Sequence, residues 1–219
     1  MRVREAGRQR ESMSRFSVIG NVNIDLVVWP AAELPPPGAE VQVETIGMRA
    51  AGSAGNSALA LARLGQAPSL AGCVGGDHFG QFILEELAAA GIEGGVSVLP
   101  EEPTGITIAF QAPGRDRSFL TLLGSLEAFG ASLVPAETLA ANFVLFCGYF
   151  TLPALRGAPA LALMNRVRAA GAVSSSILTG IPRGGARRVG TRSQDYCRSL
   201  MCSCRAMRRL EVSPDSKIP

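Results

Sequence analysis

The sequence predicts an α/β fold, a mostly parallel sheet flanked by helices and joined to a small side sheet. Three observations carry that prediction. Between Phe16 and Val173, short apolar runs alternate with helix-like stretches closed by glycine, as βα units do. Two further β runs, Thr104–Phe110 and Arg117–Leu122, flank Ala112-Pro113-Gly114-Arg115-Asp116, a strong hairpin signal that implies a separate small sheet. Of 219 residues, 47% are hydrophobic, only 5% are aromatic and 25 are Gly, a composition suited to close packing of small side chains. The length allows one large domain or two small ones and suffices for a sizeable core.

Each element has its own local signal. Met1–Ser14 lacks apolar periodicity and is expected to be a disordered extension. Phe16–Ile19 reads as a short strand, which Gly20 turns into Asn21-Val22-Asn23-Ile24-Asp25 before a second apolar run, Leu26–Trp29. After the proline-rich turn Glu33–Gly38, Glu40–Met48 alternates polar and apolar residues, the pattern of a half-exposed strand. A glycine-rich turn holds Gly52 and Gly55, and Asn56 is expected to open a helix over Ser57–Leu64, closed by Gly65. Pro68–Val74 reads as a buried strand, and Asp77 as the N-cap of a helix that runs to about Ala90 and stops at Gly91. Phe143–Cys147 is another buried strand, ending at Gly148-Tyr149, and Pro159–Ala170 a helix closed by Gly171.

The net charge of +3 conceals a division along the chain. Residues 1–14 carry 4 Arg against 2 Glu, residues 15–173 carry 8 Arg against 13 acids, and residues 174–219 carry 9 basic residues against 3 acids. The body is therefore mildly acidic and only the ends are basic. Neither end interleaves aromatics with its charges, so nucleic acid is not an expected partner. No apolar run reaches membrane-spanning length and no apolar segment follows the Arg-rich start, so the expectation is a soluble, cytoplasmic protein without a membrane partner. Cys73 and Cys147 lie in apolar strand-like runs and read as buried small hydrophobes. Cys197, Cys202 and Cys204 crowd the tail without zinc-ligand spacing, so no metal site is expected there.

Ligands in open α/β sheets gather at the carboxyl ends of the strands. Asp25, Asn56 and Gly76-Asp77 all fall just after strands. Asp25 sits between Ile24 and Leu26, where an unpaired carboxylate is costly to bury. Its partner is either a neighbouring backbone N–H or the hydroxyls of a polyol. For Gly52 and Gly55 the plain alternative is a tight turn, for Asn56 a helix cap, and for Asp77 a cap that holds its turn. His78, the single histidine, lacks partners for a metal site or a triad and reads as a loop residue.

Taken together, these residues resemble the PfkB carbohydrate kinases of the ribokinase superfamily. The resemblance rests on Gly20-Asn21-Val22-Asn23-Ile24-Asp25, the turn Ala51-Gly52-Ser53-Ala54-Gly55-Asn56 with its Ala/Leu helix, Val74-Gly75-Gly76-Asp77-His78-Phe79-Gly80, Pro103-Thr104-Gly105 and Cys147-Gly148-Tyr149, in order over Phe16–Val173. It implies a ribokinase-like fold whose small β lid comprises about residues 40–49 and 104–122. It implies ATP-dependent phosphoryl transfer to a hydroxyl of a sugar or nucleoside, with ATP and Mg as cofactors. Asn23 and Asp25 would bind sugar hydroxyls, Gly52 would present its backbone, and Asn56 would add a side-chain contact. A homodimer through the lid strands would fit the same picture. One departure is visible, since the family usually has Gly-Gly where this chain has Ala51-Gly52.

The phosphoryl-transfer half of such a kinase contains a Gly-Ala-Gly-Asp type turn, whose amides hold an anion and whose Asp takes the proton from the sugar. The nearest string here, Arg183-Gly184-Gly185-Ala186-Arg187, has no acid and no apolar strand before it. The expectation is therefore a C-terminally truncated member that keeps the substrate half, carries no catalytic residue of its own and is inactive alone. The alternative is a non-catalytic sugar-binding or dimerising remnant. From Ser174 the pattern dissolves into Ser174-Ser175-Ser176 and a dense basic tail, read as frameshifted and disordered. In the shifted frame, the codons of Leu178 to Gly185 permit Asp-Gly-Asn-Pro-Glu-Gly-Trp, and those of Leu200 to Leu210 permit Asp-Val-Phe-Leu-Pro-Ser-Asp-Glu-Glu-Ala. Both resemble what these kinases carry at those places, and sequencing the DNA around the codons for Val173–Leu178 tests the idea.

Overall fold

The computed structural model describes residues 16–92 and 94–177. The N-terminal extension and the basic tail from residue 178 onward, with the segments read in a shifted frame, lie outside the described residues. Nine strands and four α-helices are described: β1 (Phe16–Ile19), β2 (Asn23–Trp29), β3 (Thr45–Ala51), α1 (Ser53–Arg63), β4 (Ser69–Gly75), α2 (His78–Ala89), β5 (Val96–Leu99), β6 (Ile106–Phe110), β7 (Ser118–Leu122), α3 (Ala136–Leu139), β8 (Phe143–Cys147), α4 (Ala158–Ala169) and β9 (Val173–Ile177).

The main sheet has five strands in the order β5-β4-β1-β8-β9, and every pair is parallel. Its near-continuous apolar strands follow from burial on both faces. On one face Val18, Leu70 and Val74 pack with Ala54 and Ala58 of α1 and Ile83 and Leu87 of α2. On the other, Ile19, Ala71, Val144 and Phe146 pack with Ala160, Leu163 and Val167 of α4. Val18 and Ile19 are adjacent yet belong to different layers, as the strand pleat requires. The expected α/β architecture, a mostly parallel sheet flanked by helices, is thus present.

The side sheet has four strands in the order β3-β2-β6-β7, with β2 and β6 parallel and the outer pairs antiparallel. Alternation gives it two unlike faces. One carries Ile24, Leu26, Met48, Ile106, Ile108 and Leu122, and the other carries Asn23, Asp25, Arg49, Thr107 and Thr121. The base of the apolar face is buried with α2, Ile24 and Ala50 sharing a layer with Ile83 and Leu87. Its outer part is open, with Ile46 65% exposed, and so is its β7 edge, where Leu122 is 51% exposed.

Several elements depart from the sequence reading. The helix expected to open at Asn56 begins at Ser53, with Gly52 as N-cap, so Gly55 lies inside the helix and Asn56 in its first turn. Gly55 tolerates this because its backbone is unstrained and even a methyl there would only touch Val22. Residues 40–44 stay outside β3, because the ladder with β2 matches Asn23–Trp29 to Thr45–Ala51 and its end is closed by Glu44 N–H donating to the Trp29 carbonyl at 2.9 Å. His78 is the first residue of α2 rather than a loop residue. Strand β5, which the sequence reading did not include, pairs with β4 at the sheet edge. Strand β9 continues past the Val173/Ser174 boundary to Ile177, since its parallel pairing with β8 is made by backbone groups and does not require apolar side chains.

Candidate functional site

Three residues after β1 the chain enters the side sheet, and this short link places Asn23 and Asp25 at the root of β2 on one face. Asn23 is buried. Its Nδ2 donates to Asp25 Oδ1 at 3.1 Å and to the Ile24 carbonyl at 3.1 Å, and its Oδ1 accepts from Asn21 Nδ2 at 3.3 Å. Asp25 stands opposite Arg49 in the β2–β3 register, and the Arg49 guanidinium donates to Asp25 Oδ2 at 3.2 Å. The Asp25 side chain is 21% exposed and that of Arg49 58%, so the pair borders solvent and adds little stability. It does fix the carboxylate, one donor to each oxygen. An ionised carboxylate has about four acceptor positions, so acceptor capacity remains on the open side.

Gly52 closes the site from below. Its φ of 90° and ψ of 151° lie outside the ordinary range for other residues. A Cβ there would overlap the Asn21 carbonyl and lie 2.8 Å from Asn23 Oδ1. Ala51 is fully buried opposite Asn23 in the ladder, so the Ala-Gly pair is accommodated in this order and not the reverse. The Asn21 carbonyl accepts from the N–H groups of Ala54 at 3.2 Å and Gly55 at 3.4 Å, which occupies amides of the α1 N-terminus. Asn56 donates its backbone N–H to the Gly52 carbonyl at 2.8 Å, and its side chain is exposed, without a hydrogen bond to the other three. The structure thus brings Asn23, Asp25 and Gly52 into one cluster and sets Asn56 one helical turn away.

Sequence reasoning missed Arg49, Thr107 and Thr121. Thr107 faces Asp25 across the β2–β6 pair, and its hydroxyl lies 3.2 Å from that of Thr121 on β7. Each is an isolated polar residue in its strand, Thr107 being the one polar residue of β6, so no local periodicity marks them and only the strand register brings them beside Asp25.

A cavity of about 460 Å³ lies elsewhere, around Gly75, Gly76, Asp77, His78, Gln81, Leu84 and Val98. Its carboxylate is committed. Asp77 caps α2 by accepting from Gly80 N–H at 2.8 Å, and it accepts from the Thr104 N–H at 2.8 Å and hydroxyl at 2.6 Å. Partial burial alone would raise its pKa, but the hydrogen bonds from the Thr104 hydroxyl and N–H and from Gly80 and Phe79 outweigh it and hold the carboxyl below its ordinary value. Among the described residues no three His, Cys, Asp or Glu side chains converge on a metal position, and no helix is long and apolar enough to cross a membrane.

The profile of the pfkB family carbohydrate kinases matches residues 13–184. No curated protein matches the chain. Among solved structures it is similar to Arabidopsis thaliana ribokinase complexed with ribose and ATP, at 22% identity and a TM-score of 0.64, covering 77% of this chain and 55% of that one. It is similar to Xylella fastidiosa fructokinase, at 24% identity and a TM-score of 0.61, covering 79% and 54%. It is also similar to Giardia lamblia ribokinase, at 21% identity and a TM-score of 0.64, covering 80% and 53%. At these identities the likeness is one of fold, and the chain spans about half the length of each of these structures.

Proposed function

Since the chain belongs to the pfkB family of carbohydrate kinases, we propose that it carries the sugar-binding part of an ATP-dependent kinase acting on a sugar or nucleoside hydroxyl. The observation that carries this reading is the Asp25 carboxylate, held by Asn23 on one oxygen and Arg49 on the other, at the open root of the side sheet. Asn23 and Asp25 bind sugar hydroxyls, Gly52 presents its main chain, and Asn56, exposed in the first turn of α1, adds a side-chain contact. The side sheet is the lid. Support comes from the placing of Asn23, Asp25 and Gly52 in one cluster and from the ribose in the Arabidopsis structure.

The described residues offer no cradle for ATP or Mg. The α1 amides already donate to the Asn21 carbonyl, and the first turn of α2 is capped by the Asp77 carboxylate, which repels a phosphate. On this reading the phosphoryl-transfer groups lie outside these residues, and because residues 178–219 contain no Gly-Ala-Gly-Asp type turn either, the chain alone is inactive. The test is isothermal calorimetry with a panel of sugars and nucleosides beside a phosphorylation assay on the purified chain. Binding without turnover supports the reading, and turnover above background would refute the inactivity.

The open apolar part of the lid favours a second role. Ile46 and Met48 on β3 and Leu120 and Leu122 on β7 are exposed on the same face, with half-buried Leu26, Ile106 and Ile108 between them, and a second copy of the lid would cover this surface. On that reading the chain is a dimerising, sugar-binding unit without catalysis.

A further inference from the structure

At one level of the lid, each of the four strands contributes one polar residue to the same face, in the order Arg49, Asp25, Thr107, Thr121. The row is internally bonded at both ends. Arg49 donates to Asp25 Oδ2 at 3.2 Å, and the hydroxyls of Thr107 and Thr121 lie 3.2 Å apart. The next level outward on this face holds Val27, Gly47, Ala109 and Phe119, which offer no hydrogen-bonding side chain. Polar side chains return on this face only at its far end, with Trp29 and Thr45, so near the root of the lid polar contact comes from this row and Asn23.

We propose that the row reads the substrate's hydroxyl pattern, with Asp25 and Thr107 touching two hydroxyls of one sugar, and with Arg49 and Thr121 as positioning residues that hold them from outside. The inference rests on the sugar-binding reading and extends it to the third strand. Adjacent strands are about 4.8 Å apart, so Asp25 and Thr107 are spaced to meet different hydroxyls of a single ring. A threonine hydroxyl has one donor and two acceptor positions. The contact with Thr121 uses one of them and leaves the others for a ligand. The Arg49 fork takes Oδ2 and leaves the carboxylate's remaining lone pairs directed away from β3.

The test measures binding of D-ribose, D-fructose and adenosine to the full chain by calorimetry, together with the deoxy analogue of whichever binds. Thr107→Val weakens the parent ligand about five- to tenfold and leaves one deoxy analogue unaffected, because that analogue lacks the hydroxyl Thr107 meets. Thr121→Val and Arg49→Gln each weaken the parent about two- to fivefold, and Arg49→Lys recovers part of the loss. Melting temperatures of the Thr variants stay at the parent value, since both side chains are partly or fully exposed. If Asp25→Asn abolishes binding while Thr107→Val binds parent and deoxy ligands as the unmodified chain does, the row proposal fails and the sugar reading stands. If the unmodified chain binds none of the three ligands, or Asp25→Asn binds them undiminished, the sugar reading fails and the row proposal with it.

Discussion

Thr104 and Asp77 are joined twice, the Thr104 hydroxyl donating to Asp77 Oδ1 at 2.6 Å and its N–H donating to Oδ2 at 2.8 Å. Thr104 Oγ1 also accepts from the Gly75 N–H at 2.9 Å. The next residue, Gly105, accepts from the Ile24 N–H at 2.9 Å, so one bonded chain runs from the end of β4 to the root of the lid.

Asp77→Ala removes a helix cap and leaves the Thr104 N–H without its partner. It is expected to cost about 2 kcal/mol, read as a lower midpoint in urea unfolding with an unchanged slope. The folded carboxyl titrates below its ordinary value of 3.8, so its stabilisation is fully present above that pH and is lost as pH falls through the folded value. Acidification below about pH 4 should narrow the gap between parent and variant.

Gly52→Ala places a methyl against the Asn21 carbonyl at a backbone angle that disfavours any side chain. The expected loss is about 1–3 kcal/mol in thermal or urea unfolding. Ala51→Gly removes only a buried methyl and adds backbone freedom, for about 1 kcal/mol or somewhat more. The steric account requires Gly52→Ala to cost more than Ala51→Gly, and an equal or smaller cost would overturn it.

Burial pushes the Cys73 and Cys147 thiols up to about 11, against a partial lowering by Ser125 and Ser57 respectively. Unfolded thiols ionise near 9, so the folded state keeps its advantage below pH 9 and loses it between about 9 and 11. Unfolding midpoints should fall across that window. Replacing both residues with Ala should flatten the fall.

Leu122→Lys puts a charge on the exposed β7 edge of the lid's apolar face, beside Ile106. The unmodified chain is expected to sediment as a dimer and the variant as a monomer, each retaining a cooperative thermal transition. A monomeric unmodified chain at micromolar concentration would remove the dimer reading.

The sequence was most legible where a side chain and its backbone carry the same signal. Asp77 was recognisable as a cap because it precedes an apolar-periodic run closed by Gly91, and the hairpin because Pro113-Gly114 parts two β runs. Legibility failed where tertiary pairing decides. Ser174 and Ser175 are strand residues because β8 offers a parallel edge, not because of their own preference. Gly55 is helical because the Asn21 carbonyl meets its N–H and starts the helix early. At the candidate site, Asn23, Asp25 and Gly52 were readable from a local string. Arg49 and Thr107 were not, because only the register brings them beside Asp25.

The two unlike faces of the side sheet bear on assembly as much as on binding. A slip of one residue that turns β2 over against β3 would put Asp25 onto the surface of α2 and Ile24 into water, while Arg49 stayed on the other face. Misaligned strands would therefore be rejected by their own charge, and β2 would anneal in the single frame that leaves its carboxylate outside. The residue proposed to hold a sugar is thus also a registration mark, checked during folding before any ligand is present.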